Sequence, residues 1–195
     1  RFLAACYYEP GPAFAEERLF DSMAGAASHV DAGLEAAAVR LGKAYDADRP
    51  EDLLVDYTRL FLGPIEAMAR PYGSVWMDGQ PGVMRDSTME VLALYEEGGF
   101  EIDEGFRELP DHVAAELEFL YLLLFRENAA RRAGDAPGLT QGEALRRRLL
   151  SEHLGRWAGP FSAAVRDGAR TAFYRELGSL TERAVALEAR RAAEG

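Results

Sequence analysis

The stretch Leu109-Pro110-Asp111-His112-Val113-Ala114-Ala115-Glu116-Leu117-Glu118-Phe119-Leu120-Tyr121-Leu122-Leu123-Leu124-Phe125 decides the fold. Pro110 closes a loop, and Asp111 is a good helix N-cap, with His112 in the first turn. Val113, Leu117, Leu120, Tyr121 and Leu124 recur at helical spacing and mark one face. Phe119, Leu122, Leu123 and Phe125 make the second half apolar nearly all round, the pattern of a central helix wrapped by others.

The flanking sequence is helical too. Towards the N-terminus, Ser87-Thr88-Met89-Glu90 has the form of a capping box, opening a helix that ends at Gly98-Gly99. Pro50-Glu51-Asp52 is a sound helix start, since proline fits the first turn and acids favour the positive dipole end. Leu53, Leu54, Tyr57, Leu60 and Phe61 then line one face until Gly63-Pro64. Ala13 to Tyr45 reads as two helices interrupted at Gly25 and Gly33. On the other side, Ala133 to Gly138 is a turn, and two amphipathic helices follow, Leu145–Trp157 and Phe161 to Ala189, parted by Gly159-Pro160. Gly63 to Asp86 is a Pro/Gly-rich break carrying Tyr72, Val75, Trp76 and Met77, and long irregular loops are often functional. Alternating strand patterns are absent. The expectation is one all-α domain over residues 1–195, a globular bundle of roughly eight to ten helices.

Composition narrows the function. With 195 residues and 48% hydrophobic residues, the chain can bury a core without staples. No apolar run is long enough to span a bilayer, and no secretory signal pattern is visible, so neither stable membrane insertion nor export is expected. A single cysteine, Cys6, excludes an internal disulfide framework and suits a reducing cytosol. The net charge of −11 argues against nucleic acid as a partner. That charge is concentrated. Asp86 to Glu118 holds 11 acidic residues and 1 basic one, Arg107, whereas Phe119 to Gly195 is net positive. Such a segment is either a solvated surface or a docking surface for something cationic.

Catalytic motifs are missing. There is no phosphate-binding Gly-rich loop, since Gly42-Lys43 is followed by Ala44, and no nucleophile elbow. His29, His112 and His153 stand far apart. His112 and Glu116 can share a helix face, with Glu108 and Asp111 close by, but a catalytic zinc site usually needs three ligands, so no metal or other cofactor is expected. One constellation remains, Glu108-Leu109-Pro110-Asp111-His112. An imidazolium is disfavoured at a helix N-terminus, so His112 there is expected neutral. Capping alone explains Pro-Asp equally well.

Two blocks of residues resemble the TorD/DmsD family of cytoplasmic molybdoenzyme maturation chaperones. Tyr57-Thr58-Arg59-Leu60-Phe61 is similar to the family's aromatic-x-x-Leu-Phe, and Glu108-Leu109-Pro110-Asp111-His112 to its Glu-x-Pro-Asp-His. Pro71-Tyr72-Gly73-Ser74-Val75-Trp76, His153-Leu154-Gly155-Arg156-Trp157 and Phe173-Tyr174 support it. The resemblance implies an all-helical, non-enzymatic protein that binds the twin-arginine signal peptide, and sometimes the body, of a molybdopterin oxidoreductase catalytic subunit until its cofactor is inserted. By position it implies Tyr72, Ser74, Trp76, Glu108, Pro110, Asp111 and His112 as peptide-binding residues, with Tyr57, Leu60 and Phe61 as supporting packing. It also implies a monomer or a domain-swapped dimer. Two other functions stand beside it: a nitrate-reductase-type (NarJ-like) assembly chaperone whose partner stays inside the cell, and a guanine-nucleotide-binding switch or hydrolase, for which no phosphate motif speaks.

Overall fold

The computed structural model describes residues 1–11, 14, 18–63, 67–78, 84–103 and 105–194. Pro64, Gly79, Pro81 and Gly82, which helped to define the predicted break, lie outside these. Among the described residues the chain forms ten α-helices and one π-helical turn, with no strand, as an all-α bundle requires. The chain divides into two compact units. One comprises Phe2–Pro71 and Ala158–Ala184; the other comprises Arg1, Tyr72–Trp157 and Val185–Gly195.

The first of these is an aromatic-cored unit. It holds α1 (Phe2–Ala5), α2 (Leu19–Ser28), α3 (Ala32–Ala47) and α4 (Pro50–Tyr57), which continues into a π-helical turn (Thr58–Leu62). The predicted breaks at Gly25 and Gly33 do not occur, because both glycines lie inside helices. The chain turns at His29–Asp31 instead, where Asp31 accepts a hydrogen bond from Leu34 N at 2.9 Å and caps α3. Tyr57, Leu60 and Phe61 are buried. The Phe61 ring meets Tyr7, Tyr57, Phe161 and Tyr174 at centroid distances of 5.4–6.3 Å. Buried Asp56 organises the same core: its Oδ2 accepts from Arg170 N, Thr171 N and Thr171 Oγ1, each at 2.8 Å, and its Oδ1 from Arg59 at 2.6 Å. Burial works against the Asp56 charge, but these donors outweigh it and lower its pKa.

The other unit carries α5 (Gly73–Met77), α6 (Asp86–Glu97), α7 (Val113–Ala133) and α8 (Ala136–Glu152). Helix α6 starts one residue before its predicted cap, and Thr88 Oγ1 accepts from Arg85 N at 3.2 Å. Helix α7 ends at Gly134, whose φ of 69° is the left-handed conformation that glycine adopts without strain. Helices α7 and α8 pack on each other through a buried Glu127–Arg146 ion pair at 2.7 Å. The last two helices, α9 (Leu154–Gly168) and α10 (Ala172–Glu194), depart from expectation. Gly159-Pro160 lies inside α9. The break falls at His153, whose φ of −131° and ψ of −103° leave the helical region. The wrapped-helix expectation for α7 also fails. Val113, Leu117, Phe119, Leu120 and Leu123 are buried, but Tyr121, Leu122 and Phe125 are 39%, 36% and 59% exposed.

Candidate functional site

The site is built by stitching the 71–76 segment onto the turn that opens α7. Gly73 N donates to Asp111 O at 2.8 Å, and Ser74 N donates to Asp111 Oδ2 at 2.8 Å. Tyr72 and His112 form an antiparallel bridge, and their rings meet edge-on at 5.4 Å. The Tyr72 hydroxyl donates to Glu108 Oε2 at 2.6 Å. From α6, the Tyr95 hydroxyl donates to Pro110 O at 2.9 Å. Tyr72, Ser74, Glu108, Pro110, Asp111 and His112 are therefore brought together, and Trp76 follows on α5. Tyr57, Leu60 and Phe61 belong to the core of the other unit.

Capping roles differ from the sequence expectation. His112, not Asp111, is the N-cap of α7, with Nδ1 accepting from Ala114 N at 3.2 Å. An accepting Nδ1 requires a neutral ring with its proton on Nε2. Burial lowers the His112 pKa to about 4, against the pull of the Glu108 and Asp111 charges. Asp111 serves α5 instead: its carboxylate accepts from that helix's first turn. Asp111 is 0% exposed and His112 3% exposed, whereas Tyr72, Trp76 and Glu108 are half-buried. Asp111 Oδ1 and Ser74 Oγ are buried without a hydrogen-bond partner among the described residues.

Beneath this stitch lies a polar cluster that the sequence reading missed. His153 Nδ1 lies 2.8 Å from Glu116 Oε2, and its Nε2 donates to Ser87 O at 2.7 Å. Trp157 Nε1 donates to the Glu116 carboxylate at 3.2 and 3.3 Å. Glu116, His153 and Trp157 are all at or below 1% exposure. Gly73 rests directly on them: a Cβ there would stand 3.0 Å from Trp157 Nε1 and 3.2 Å from Glu116 Oε1. The Ser87 hydroxyl also donates to Asp78 Oδ2 at 2.7 Å, so the end of α5 and the start of α6 share this support. Burial raises the Glu116 pKa against the hydrogen bond from His153. Burial opposes charge on His153, but the Glu116 hydrogen bond and charge outweigh it and raise that pKa as well. A signal for the cluster was present, because Glu116 sits on the apolar stripe between Val113 and Leu120. No group of three potential ligands able to hold a metal ion occurs among the described residues.

Comparison with known proteins places this architecture. A family model described as nitrate reductase delta subunit matches residues 27–163. The chain is 32% identical over 166 residues to the selenate reductase assembly chaperone protein of Thauera selenatis, covering 83% of each chain. It is 30% identical over 130 residues to the Tat proofreading chaperone DmsD of Salmonella typhi, and 26% identical over 136 residues to the chaperone protein TorD of Vibrio parahaemolyticus. The last two matches take in 67% and 68% of this chain but only 57% and 60% of those relatives' length. An all-helical chaperone scaffold is the class that these matches and the fold define. The chain belongs to the TorD/DmsD family of chaperones, the family that the nitrate reductase delta subunit model describes. Its named relatives are chaperones, in keeping with a non-catalytic chain.

Proposed function

We propose that this chain is a cytoplasmic chaperone for a molybdopterin oxidoreductase, and that it binds the twin-arginine signal peptide of that enzyme's catalytic subunit. The observation that carries this reading is the backbone stitch between Gly73-Ser74 and Asp111, which sets half-buried Tyr72 against Glu108, with half-buried Trp76 following on α5. A leader with a basic head and an apolar body needs both kinds of surface. Tyr72, Trp76 and Glu108 meet the peptide, while enclosed Asp111 and His112 hold the backbone that presents them. Among the described residues no helix is long and apolar enough to cross a membrane.

Magnitudes set the division of labour. An exposed Arg–carboxylate pair contributes about 0.2–1 kcal/mol. Micromolar affinity needs about 8 kcal/mol. Apolar burial at about 25 cal/mol per Å² therefore supplies most of the binding energy, and the acids chiefly steer and orient. In calorimetry with a twin-arginine peptide, Trp76→Ala weakens binding about tenfold or more, consistent with losing a buried aromatic contact, and leaves far-UV helicity intact. Unchanged affinity in that variant removes the assignment of this surface.

A second reading is favoured by one observation. The selenate reductase assembly chaperone matches over 83% of both chains, more than DmsD or TorD does. On that reading the chain grips the folded or folding apoenzyme rather than its leader. Co-purification with a leader-deleted catalytic subunit separates the two.

A further inference from the structure

Helix α7 leaves an apolar strip uncovered, and beside it lies a cavity of about 190 Å³. Its walls are Tyr95 from α6, Phe100 and Phe106 from the following turn, and Phe119 and Leu122 from α7. The rim carries Glu101, Asp103 and Glu118. The wall is pinned in place. The Arg126 guanidinium lies 3.8 Å from the Phe100 ring centroid and donates to the Gly98 carbonyl, and Phe119 meets Tyr95 and Phe100 at 4.7 and 4.9 Å. Two of its lining residues touch the candidate site: the Phe106 and His112 ring centroids lie 6.3 Å apart, and the Tyr95 hydroxyl donates to Pro110 O.

We propose that this cavity is an anchoring pocket for one bulky apolar side chain of the bound polypeptide, flanked in that polypeptide by basic residues. The inference rests on the leader-binding reading above. Size fits: a cavity of about 150 Å³ holds a benzene molecule, so this one takes a phenylalanine or leucine side chain. Charge fits as well. Three carboxylates around an apolar opening disfavour an acidic segment and attract a cationic one, and the exposed Leu122 and Phe125 extend the apolar track beyond the opening. The occupant is thus the junction of a leader's basic head with its apolar body.

The test uses the full chain and a fluorescein-labelled synthetic peptide of two consecutive arginines followed by an alanine/leucine stretch containing one phenylalanine. Ala115 lines the pocket, so Ala115→Phe fills it. Anisotropy titration is expected to show about a tenfold to hundredfold loss for Ala115→Phe, the worth of one buried apolar side chain. Replacing the peptide's phenylalanine by serine gives a similar loss on the wild-type chain and little further loss on Ala115→Phe. Glu118→Lys weakens binding about twofold to fivefold at low salt, and the difference shrinks at high salt. Leu122→Asp, at the exposed edge of the wall, repeats the test by removing apolar lining instead of filling the cavity. Wild-type affinity in both Ala115→Phe and Leu122→Asp overturns the pocket and leaves the leader reading standing if Trp76→Ala still weakens binding. No binding by the wild-type chain overturns both. A wild-type dimer on gel filtration that Ala115→Phe dissolves assigns the pocket to a second copy of the chain and overturns the proposal.

Discussion

Removing Glu116 tests whether the buried cluster supports the site. Two side chains donate to or share a proton with its carboxylate, His153 at 2.8 Å and Trp157 at 3.2 Å. Truncation to alanine leaves both without that partner in a space closed to solvent. Breaking one side of a buried pair costs about 3–5 kcal/mol. Glutamine behaves differently for a geometric reason. His153 Nε2 already donates to Ser87 O, so a neutral ring offers Nδ1 as an acceptor. The glutamine amide donates to that nitrogen while its carbonyl accepts from Trp157, and every partner is kept. Glu116→Gln is therefore expected to cost about 1 kcal/mol, the scale of one net hydrogen bond. A pH dependence follows. The raised His153 pKa means that the folded chain binds this proton more tightly than the unfolded chain. The stability it contributes is fully present below about pH 6.5 and disappears as pH rises through the folded-state value. Glu116→Gln removes the cause of that rise, so its deficit is largest near pH 5.5 and smallest near pH 8.5. Urea unfolding followed by tryptophan fluorescence measures this directly, because Trp76 and Trp157 both lie in the unit that carries the site. Equal losses in the alanine and glutamine variants, or a loss below 1 kcal/mol for alanine, refute the supporting role.

Two further outcomes concern the histidine cap and the aspartate hub. Burial pushes the His112 pKa down to about 4 in the folded chain, so the unfolded chain takes up a proton that the folded chain refuses between about pH 6.5 and 4. Wild-type stability falls over that window by up to about 3 kcal/mol; His112→Asn, which keeps an N-cap acceptor, loses less between pH 7 and 4.5 by chemical denaturation. Asp56→Ala strands the donors of Arg170 and Thr171 and is expected to cost at least about 2 kcal/mol, read as a lowered urea midpoint. Asp56→Asn, which keeps an acceptor, recovers part of that loss.

Local chemistry made much of the helical fold legible. Pro50 opens α4, Gly98 and Gly134 close α6 and α7, and apolar spacing marks the buried faces correctly where one side of a helix is covered. Glycine is a weaker breaker here than its place in the sequence suggests. Gly25 and Gly33 sit inside helices because tertiary packing outweighs a propensity cost of about 1 kcal/mol each. Pro160 is accommodated within α9, while His153, a residue with no breaking tendency, ends α8 because its ring is drawn into hydrogen bonds with Glu116 and Ser87. The structure joins residues 72–74 to 108–112, but the part each plays in that join is not legible in the sequence. Nothing local indicates that Asp111 reaches across to Ser74 and leaves the cap of α7 to His112. Nor does an apolar helix announce which of its aromatic residues remain in water, as Tyr121 and Phe125 do.

The join between Gly73-Ser74 and Asp111 uses two main-chain N–H groups on one side of the contact and the carbonyl and carboxylate of one residue on the other. Side chains at positions 75 to 77 take no part in it. On the leader-binding reading proposed above, exchanging those side chains alters what the client meets while these two hydrogen bonds stay as they are.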